Sequence, residues 1–325
     1  AMRFCVVGAG ATGGYLGAML ARSGAEVVLV ARGPHLVAMQ ERGLTVLEAD
    51  GEWTVQPACD SDLGHAVAGA DVVFVTLKAQ SLPAVAPAIG DALRPEATVV
   101  FAQNGLPWWY FRGLGGPLEG TRLEAVDPGG VIERSIPVEH ALGCVVYPAT
   151  SIVEPGVVRH LEDNRFSLGE PSGERSERLL AISKALVQAG LRAPVSTRLR
   201  SEIWVKVVGN ATVNPLAALT RSTLGELVDD QATQEVLRGL MQEVEHVAGA
   251  VGVRLPVSAE QRLAGAGNVG AHKPSTLQDL EAGRHLEVGA LLGSVVEVAH
   301  LVDEPVPGLE LVLALLARLD ATIGR

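Results

Sequence analysis

Apolar positions change period near residue 199. Before it, short apolar runs alternate with helical stretches. Residues 3–7, 26–30, 71–77 and 98–102 are near-continuous apolar runs, the pattern of parallel strands buried on both faces. Residues 11–22 between the first two runs suit a helix, stopped by Gly24. Residues 44–47 and 53–56 flank Asp50-Gly51 and predict a hairpin. Residues 143–147 and 156–160 are expected to extend the sheet, and residues 165–168 to close it. Residues 176–189 predict an amphipathic helix. Beyond residue 199 the strand-like runs vanish. Helices are predicted over 201–218, 232–251, 259–264, 287–302 and 309–323. The expected fold is an α/β N-terminal domain with a doubly wound, mostly parallel sheet, then an all-α domain. The expected boundary divides residues 1–197 from 198–325.

The first strand runs into Gly8-Ala9-Gly10-Ala11-Thr12-Gly13, a G-x-G-x-x-G turn. The first glycine permits the tight turn. The second lets the backbone approach a pyrophosphate. The third lets helix and strand pack closely. The helix behind it aims free N–H groups at phosphate. Strand, turn, helix and second strand follow in the order a dinucleotide site of Rossmann type requires. The second strand ends on Ala31-Arg32-Gly33, not on the acidic residue that binds a ribose 2′-hydroxyl. A guanidinium suits a 2′-phosphate, so NADPH is the expected cofactor. A solvated surface arginine is the alternative reading.

Composition narrows the partners. The chain has 325 residues and a formal net charge of −11, which argues against a nucleic-acid surface. No apolar run reaches the length of a membrane span. Met2 leads straight into the first strand, so no signal peptide is expected, and the expected compartment is the cytoplasm. Cys5, Cys59 and Cys144 lack the spacing of a disulfide framework or a zinc site, and no metal is expected.

Candidate chemistry falls at strand ends and on one helix. Lys78 ends the third apolar run and Asn104-Gly105 follows the fourth. In open α/β sheets ligands bind at the carboxyl ends of strands. A solvated loop lysine and simple turn chemistry are the alternatives. Lys206 and Asn210 stand at i, i+4 in IWVKVVGNATVNPL and share a face of an apolar helix. Either they serve a site or Lys206 snorkels to the surface. Asn214 precedes Pro215, where a bend is expected. Glu287 is read as an early residue of a helix, where an ionised carboxylate is favoured. Ser275 and Asp279 read equally as capping and solvated residues.

Taken together, GAGATGGYLGA, TLKAQS, QNG, WVKVVGNATVNP and HKPSTLQDLEAGRHLE resemble the ketopantoate reductase (2-dehydropantoate 2-reductase) family over nearly the whole chain. The resemblance implies NADPH held by Gly8, Ala9, Gly10, Ala11, Thr12, Gly13 and Arg32, with Lys78, Asn104 and Glu287 also at the cofactor. It implies a catalytic set of Lys206, Glu287 and Asn210, and a substrate set of Asn104, Asn214 and Ser275. The implied reaction is hydride transfer to C2 of a 2-oxo acid, with Lys206 as proton donor. In ketopantoate, the first candidate substrate, this yields pantoate for pantothenate synthesis.

Two positions depart from the family. Leu224 stands near the place of a substrate-binding asparagine, and Arg221 or Ser222 are its expected substitutes. Gly289 stands where many relatives carry an acid. Reduction of another bulky 2-oxo acid is therefore the alternative substrate reading. The cluster Trp108-Trp109-Tyr110-Phe111 reads as an apolar wall at a cleft between the domains, or as core or lid packing. A non-catalytic NADP(H)-binding sensor is the reading from another class. The last helix is read as either core or interface, leaving monomer and homodimer both open.

Overall fold

The computed structural model describes residues 1–266 and 271–325. The chain divides into two compact units. The first comprises Ala1–Gln103, Pro107–Arg122 and Gly129–Leu199. The second comprises Asn104–Leu106, Leu123–Pro128 and Arg200–Arg325.

The first unit holds the strands: β1 Arg3–Val7, β2 Glu26–Val30, β3 Leu44–Glu48, β4 Gly51–Val55, β5 Ala58–Asp60, β6 Val72–Val75, β7 Thr98–Phe101, β8 Ala141–Val146, β9 Ala149–Glu154, β10 Val157–Glu162 and β11 Phe166–Gly169. Its helices are α1 Ala11–Arg22, α2 Gly33–Arg42, α3 Leu63–Ala68, α4 Leu82–Ala92, α5 Val131–Ser135 and α6 Glu177–Gln188. Seven strands form one sheet in the order β11-β8-β7-β6-β1-β2-β5. All its pairings are parallel except β11 on β8. Residues of β6, β7, β8 and β11 are all buried, as strands covered on both faces must be.

A second sheet, in the order β4-β3-β10-β9, corrects the sequence reading. Residues 156–160 were expected in the main sheet, but β10 pairs with β3 and β9 instead. The physical reason lies in its side chains. Val158 is fully buried while Arg159 beside it is exposed, the alternation of a strand with one wet face. α1 packs against β3, β9 and β10. Tyr15 of α1 stacks on His160 of β10, with ring centroids 4.2 Å apart. His160 Nδ1 lies 2.6 Å from a Glu48 carboxylate oxygen.

The second unit is helical: α7 Leu199–Asn210, α8 Val213–Thr220, α9 Leu224–Asp229, α10 Gln231–Ala250, α11 Ala259–Ala266, α12 Ser275–Glu281, α13 Ser294–Leu301 and α14 Pro307–Asp320. The expected single helix over 201–218 is broken at Ala211 and Thr212, ahead of the expected bend. Pro215 lies in the first turn of α8, where its missing N–H costs nothing. Glu243 of α10 accepts the Gly308 and Leu309 N–H groups at the start of α14, at 2.9 and 2.8 Å. Leu309, Val312 and Leu316 of α14 are buried, while Leu311 and Leu315 are exposed. No helix among the described residues is long and apolar enough to cross a membrane.

Candidate functional site

The glycine turn sits at the carboxyl end of β1, an interior strand between β6 and β2. Gly8 takes φ +91°, a left-handed conformation that favours glycine. A Cβ on Gly13 would collide with Thr76 Oγ1 and the Gly8 carbonyl, so α1 approaches the sheet only with glycine here. Thr76 donates its hydroxyl to the carbonyls of Gly8 (2.8 Å) and Val7 (3.1 Å). Gly10 differs: nothing lies within 4 Å of where its Cβ would stand. That open backbone beside the start of α1 fits a dinucleotide pyrophosphate. Arg32 follows β2, exposed. Lys78 follows β6, half-buried, and the Gln103 amide donates to the carbonyl of Leu77 at 2.8 Å, pinning that loop. Thr76 and Gln103 were missed in the sequence, although each is a polar residue closing an apolar run.

A second cluster forms in the helical unit. Lys206 and Asn210 lie half-buried on α7, four residues apart. Asn214 of α8 is buried. Its amide nitrogen donates to Ser275 Oγ at 3.3 Å and, more weakly, faces Asn210 Oδ1 at 3.5 Å. Asn210, Asn214 and Ser275, from three helices, thus meet in one polar chain. Ser275 does not cap α12; it is the first residue after the cap position, held by Pro274. Asp279 is buried, not solvated, and pairs with Arg284 at 2.9 Å.

Glu287 is buried and sits just before the helical turns, not within the helix. Its carbonyl accepts the Leu291 N–H at 3.2 Å. A π-helical turn, Gly289–Gly293, then leads into α13. Such turns are frequent at functional sites. Two short segments pack against it. A Cβ on Gly105 would collide with the Ala290 carbonyl. Glu297 accepts the N–H groups of Glu124 and Ala125 at 2.7 and 3.0 Å. Beside Gly105, Asn104 Oδ1 is buried and has no hydrogen-bond partner among the described residues.

Other expected residues have different work. Leu224 opens α9 behind a Thr223–Glu226 capping box. Arg221 is the left-handed cap of α8, and the Ser222 hydroxyl donates to the Thr220 carbonyl. Trp108, Trp109, Tyr110 and Phe111 are buried within the first unit, so the packing reading holds over an open wall. Trp108 meets Phe101 edge-on, 5.4 Å between centroids. No group of three or more His, Cys, Asp or Glu side chains among the described residues could hold a metal ion.

A glycine turn at the end of an interior parallel strand, followed by a helical unit with a buried carboxylate and a polar helix face, defines a Rossmann-type oxidoreductase. Residues 4–108 match the family model described as Ketopantoate reductase PanE/ApbA, and residues 198–320 match that of its C-terminal domain. A 2-dehydropantoate 2-reductase of Mesorhizobium japonicum is 49% identical over 99% of each chain. The chain belongs to the ketopantoate reductase family. A structure from Ralstonia solanacearum MolK2, solved as a candidate ketopantoate reductase, superposes with a TM-score of 0.93 at 39% identity, covering 99% of both chains. D-mandelate dehydrogenase, solved with NADH and anilino(oxo)acetate, shares the fold at 20% identity. Its TM-score is 0.83, and the match covers 100% of each chain.

Proposed function

We propose that this protein reduces ketopantoate to pantoate with NADPH. The observation that carries the reading is the polar chain Asn210–Asn214–Ser275, one helical turn from Lys206. Gly8, Ala9, Gly10, Ala11, Thr12 and Gly13 would hold the pyrophosphate through backbone N–H groups. Arg32 would hold the 2′-phosphate. Lys78, Asn104 and Glu287 would line the nicotinamide end. A bound nicotinamide dinucleotide supplies the hydride.

Reduction of a carbonyl builds negative charge on its oxygen. Lys206, as an ammonium, stabilises that oxygen and donates the proton, a contribution of about 10²–10⁴-fold for a positioned acid. Glu287 holds the substrate hydroxyl, and its negative charge favours the protonated lysine. Asn210 orients the pair. Asn104, Asn214 and Ser275 offer neutral donors and acceptors to the oxygens of the 2-oxo acid. The protein works in the cytoplasm, as a monomer or homodimer, and its partner is this small acid.

The second reading is the same chemistry on another bulky 2-oxo acid, favoured by the apolar Leu224 at the start of α9. NADPH and NADH oxidation measured against a panel of 2-oxo acids separates the two. Ketopantoate turnover with kcat/KM of about 10⁴ M⁻¹s⁻¹ or more is expected. Dinucleotide binding with turnover only on bulkier acids would overturn the named substrate.

A further inference from the structure

His35 lies on α2, three residues after Arg32, and the proposed reaction makes no use of it. Its ring joins two features of the first unit. Nδ1 accepts the N–H of Gly156 at 2.9 Å. Gly156, at φ +80°, forms the turn between β9 and β10. An accepting Nδ1 leaves the proton of the neutral imidazole on Nε2. Nε2 is buried and has no hydrogen bond of ordinary geometry among the described residues. The ring faces the backbone of Ala9 in the glycine turn. The Ala9 N–H is already given to the Val30 carbonyl at 3.0 Å, which leaves the Ala9 carbonyl for His35. Burial pushes the His35 pKa below its ordinary value, and the Ala9 backbone offsets part of that. Neutral imidazole, with one acceptor and one donor, suits this position.

The β9–β10 hairpin reaches the same turn a second time. Thr150 Oγ1 of β9 lies 3.1 Å from Thr12 Oγ1. The Gly8 carbonyl is meanwhile held by Thr76. Side chains outside the turn thus hold or face Gly8, Ala9 and Thr12 in succession.

We propose that His35 is a positioning residue for the dinucleotide, with Nδ1 anchored on the β9–β10 hairpin and Nε2–H directed to the Ala9 carbonyl of the phosphate-binding turn. The inference rests on the dinucleotide reading above. The turn would hold the pyrophosphate, which NADPH and NADH share, so the effect falls on both cofactors. A buried donor that faces the turn's backbone would hold the turn in the shape that receives phosphate.

The test is titration of the full chain with NADPH and with NADH, followed by tryptophan fluorescence. It compares wild type with His35→Ala, His35→Gln, His35→Asn and Thr150→Val. His35→Ala is expected to raise both Kd values about tenfold, as for a lost buried hydrogen bond. A glutamine amide reaches the Nε2 position and restores most of the affinity. An asparagine amide reaches only the Nδ1 position and does not. Thr150→Val weakens both cofactors by a smaller factor. At saturating cofactor, kcat and the KM for the 2-oxo acid stay at wild-type values. Should His35→Ala fail to fold, the Gln–Asn pair decides alone. Unchanged Kd values, or equal rescue by Asn and Gln, would overturn the role of His35 while wild type still binds. Wild type that binds neither dinucleotide would overturn the cofactor reading itself, and this inference with it.

Discussion

The carbonyl oxygen of Ala125 lies 2.7 Å from where a Cβ on Gly289 would stand. The acid that the family resemblance leads one to expect at this position has no room here. Gly289 opens the π-helical turn behind Glu287, and Ala125 is held in place by Glu297. Gly289→Ala is therefore expected to destabilise the protein by about 1–3 kcal/mol, as overpacking does. Urea unfolding measures it, and a midpoint equal to wild type would show that the Leu123–Pro128 segment yields freely.

Lys206→Ala should lower kcat by about 10²–10⁴-fold while NADPH still binds. Asn214→Ala breaks the link to Ser275 and should lower kcat/KM by about tenfold, close to what one hydrogen bond is worth. Steady-state kinetics with a parallel binding titration tests both. Undiminished turnover in Lys206→Ala would remove this residue from the mechanism.

Arg32 stands exposed at the end of β2. Replacement by alanine should weaken NADPH by about tenfold or more and leave NADH unchanged, because only NADPH carries the 2′-phosphate. Equal losses with both cofactors would mean that Arg32 contacts a feature they share.

Glu170 and Arg178 form a forked pair, Arg178 Nε and Nη2 each 2.7 Å from a different oxygen of the carboxylate. The Glu170 side chain is 4% exposed and that of Arg178 32%. Arg178→Ala strands a buried carboxylate and should cost about 3 kcal/mol, the lower end for a broken buried pair because Arg178 is partly wet. Arg178→Lys should cost less, keeping charge but losing the fork. Equilibrium unfolding distinguishes the two.

Asp71 accepts the Arg3 N–H at 2.8 Å and pairs with Arg94 at 2.5 Å. The backbone N–H of Arg3, then the Arg3 and Arg94 guanidinium groups, hold its carboxyl below the ordinary range. A depressed carboxylate pKa stabilises the fold above the unfolded value of about 3.9 and ceases to as pH falls through the lower folded value. Asp71→Asn should therefore lose stability at neutral pH and show a flatter decline below about pH 4. A decline parallel to wild type would show that other carboxylates carry the acid sensitivity.

Local chemistry was legible wherever neighbours in sequence are neighbours in space. The Gly8–Gly13 turn could be read because a tight turn, an exposed backbone and a close helix each demand glycine at a fixed spacing. Lys206 and Asn210 could be read as one face because a helix repeats every 3.6 residues. Asn214 could be named from the family motif, but its bond to Ser275 spans 61 residues and no local pattern encodes it.

By itself, then, the sequence determined the buried strands at residues 3–7, 26–30, 71–77 and 98–102, the change from α/β to helical texture, and the residue types available for chemistry, since all three follow from backbone period and side-chain reach. Tertiary structure alone decided the rest. Residues 156–160 read as a strand, but pairing with Leu44–Glu48 sent them to a second sheet, because periodicity says which face is buried and not by what. Asn104–Leu106 group with the helical unit although they follow a strand of the first. Gly289 looked like a missing acid until Ala125 was found in its space, and His35, which no local motif marks, accepts the N–H of Gly156 from 121 residues away. In each case the deciding contact joins segments far apart in sequence, and only packing brings them together.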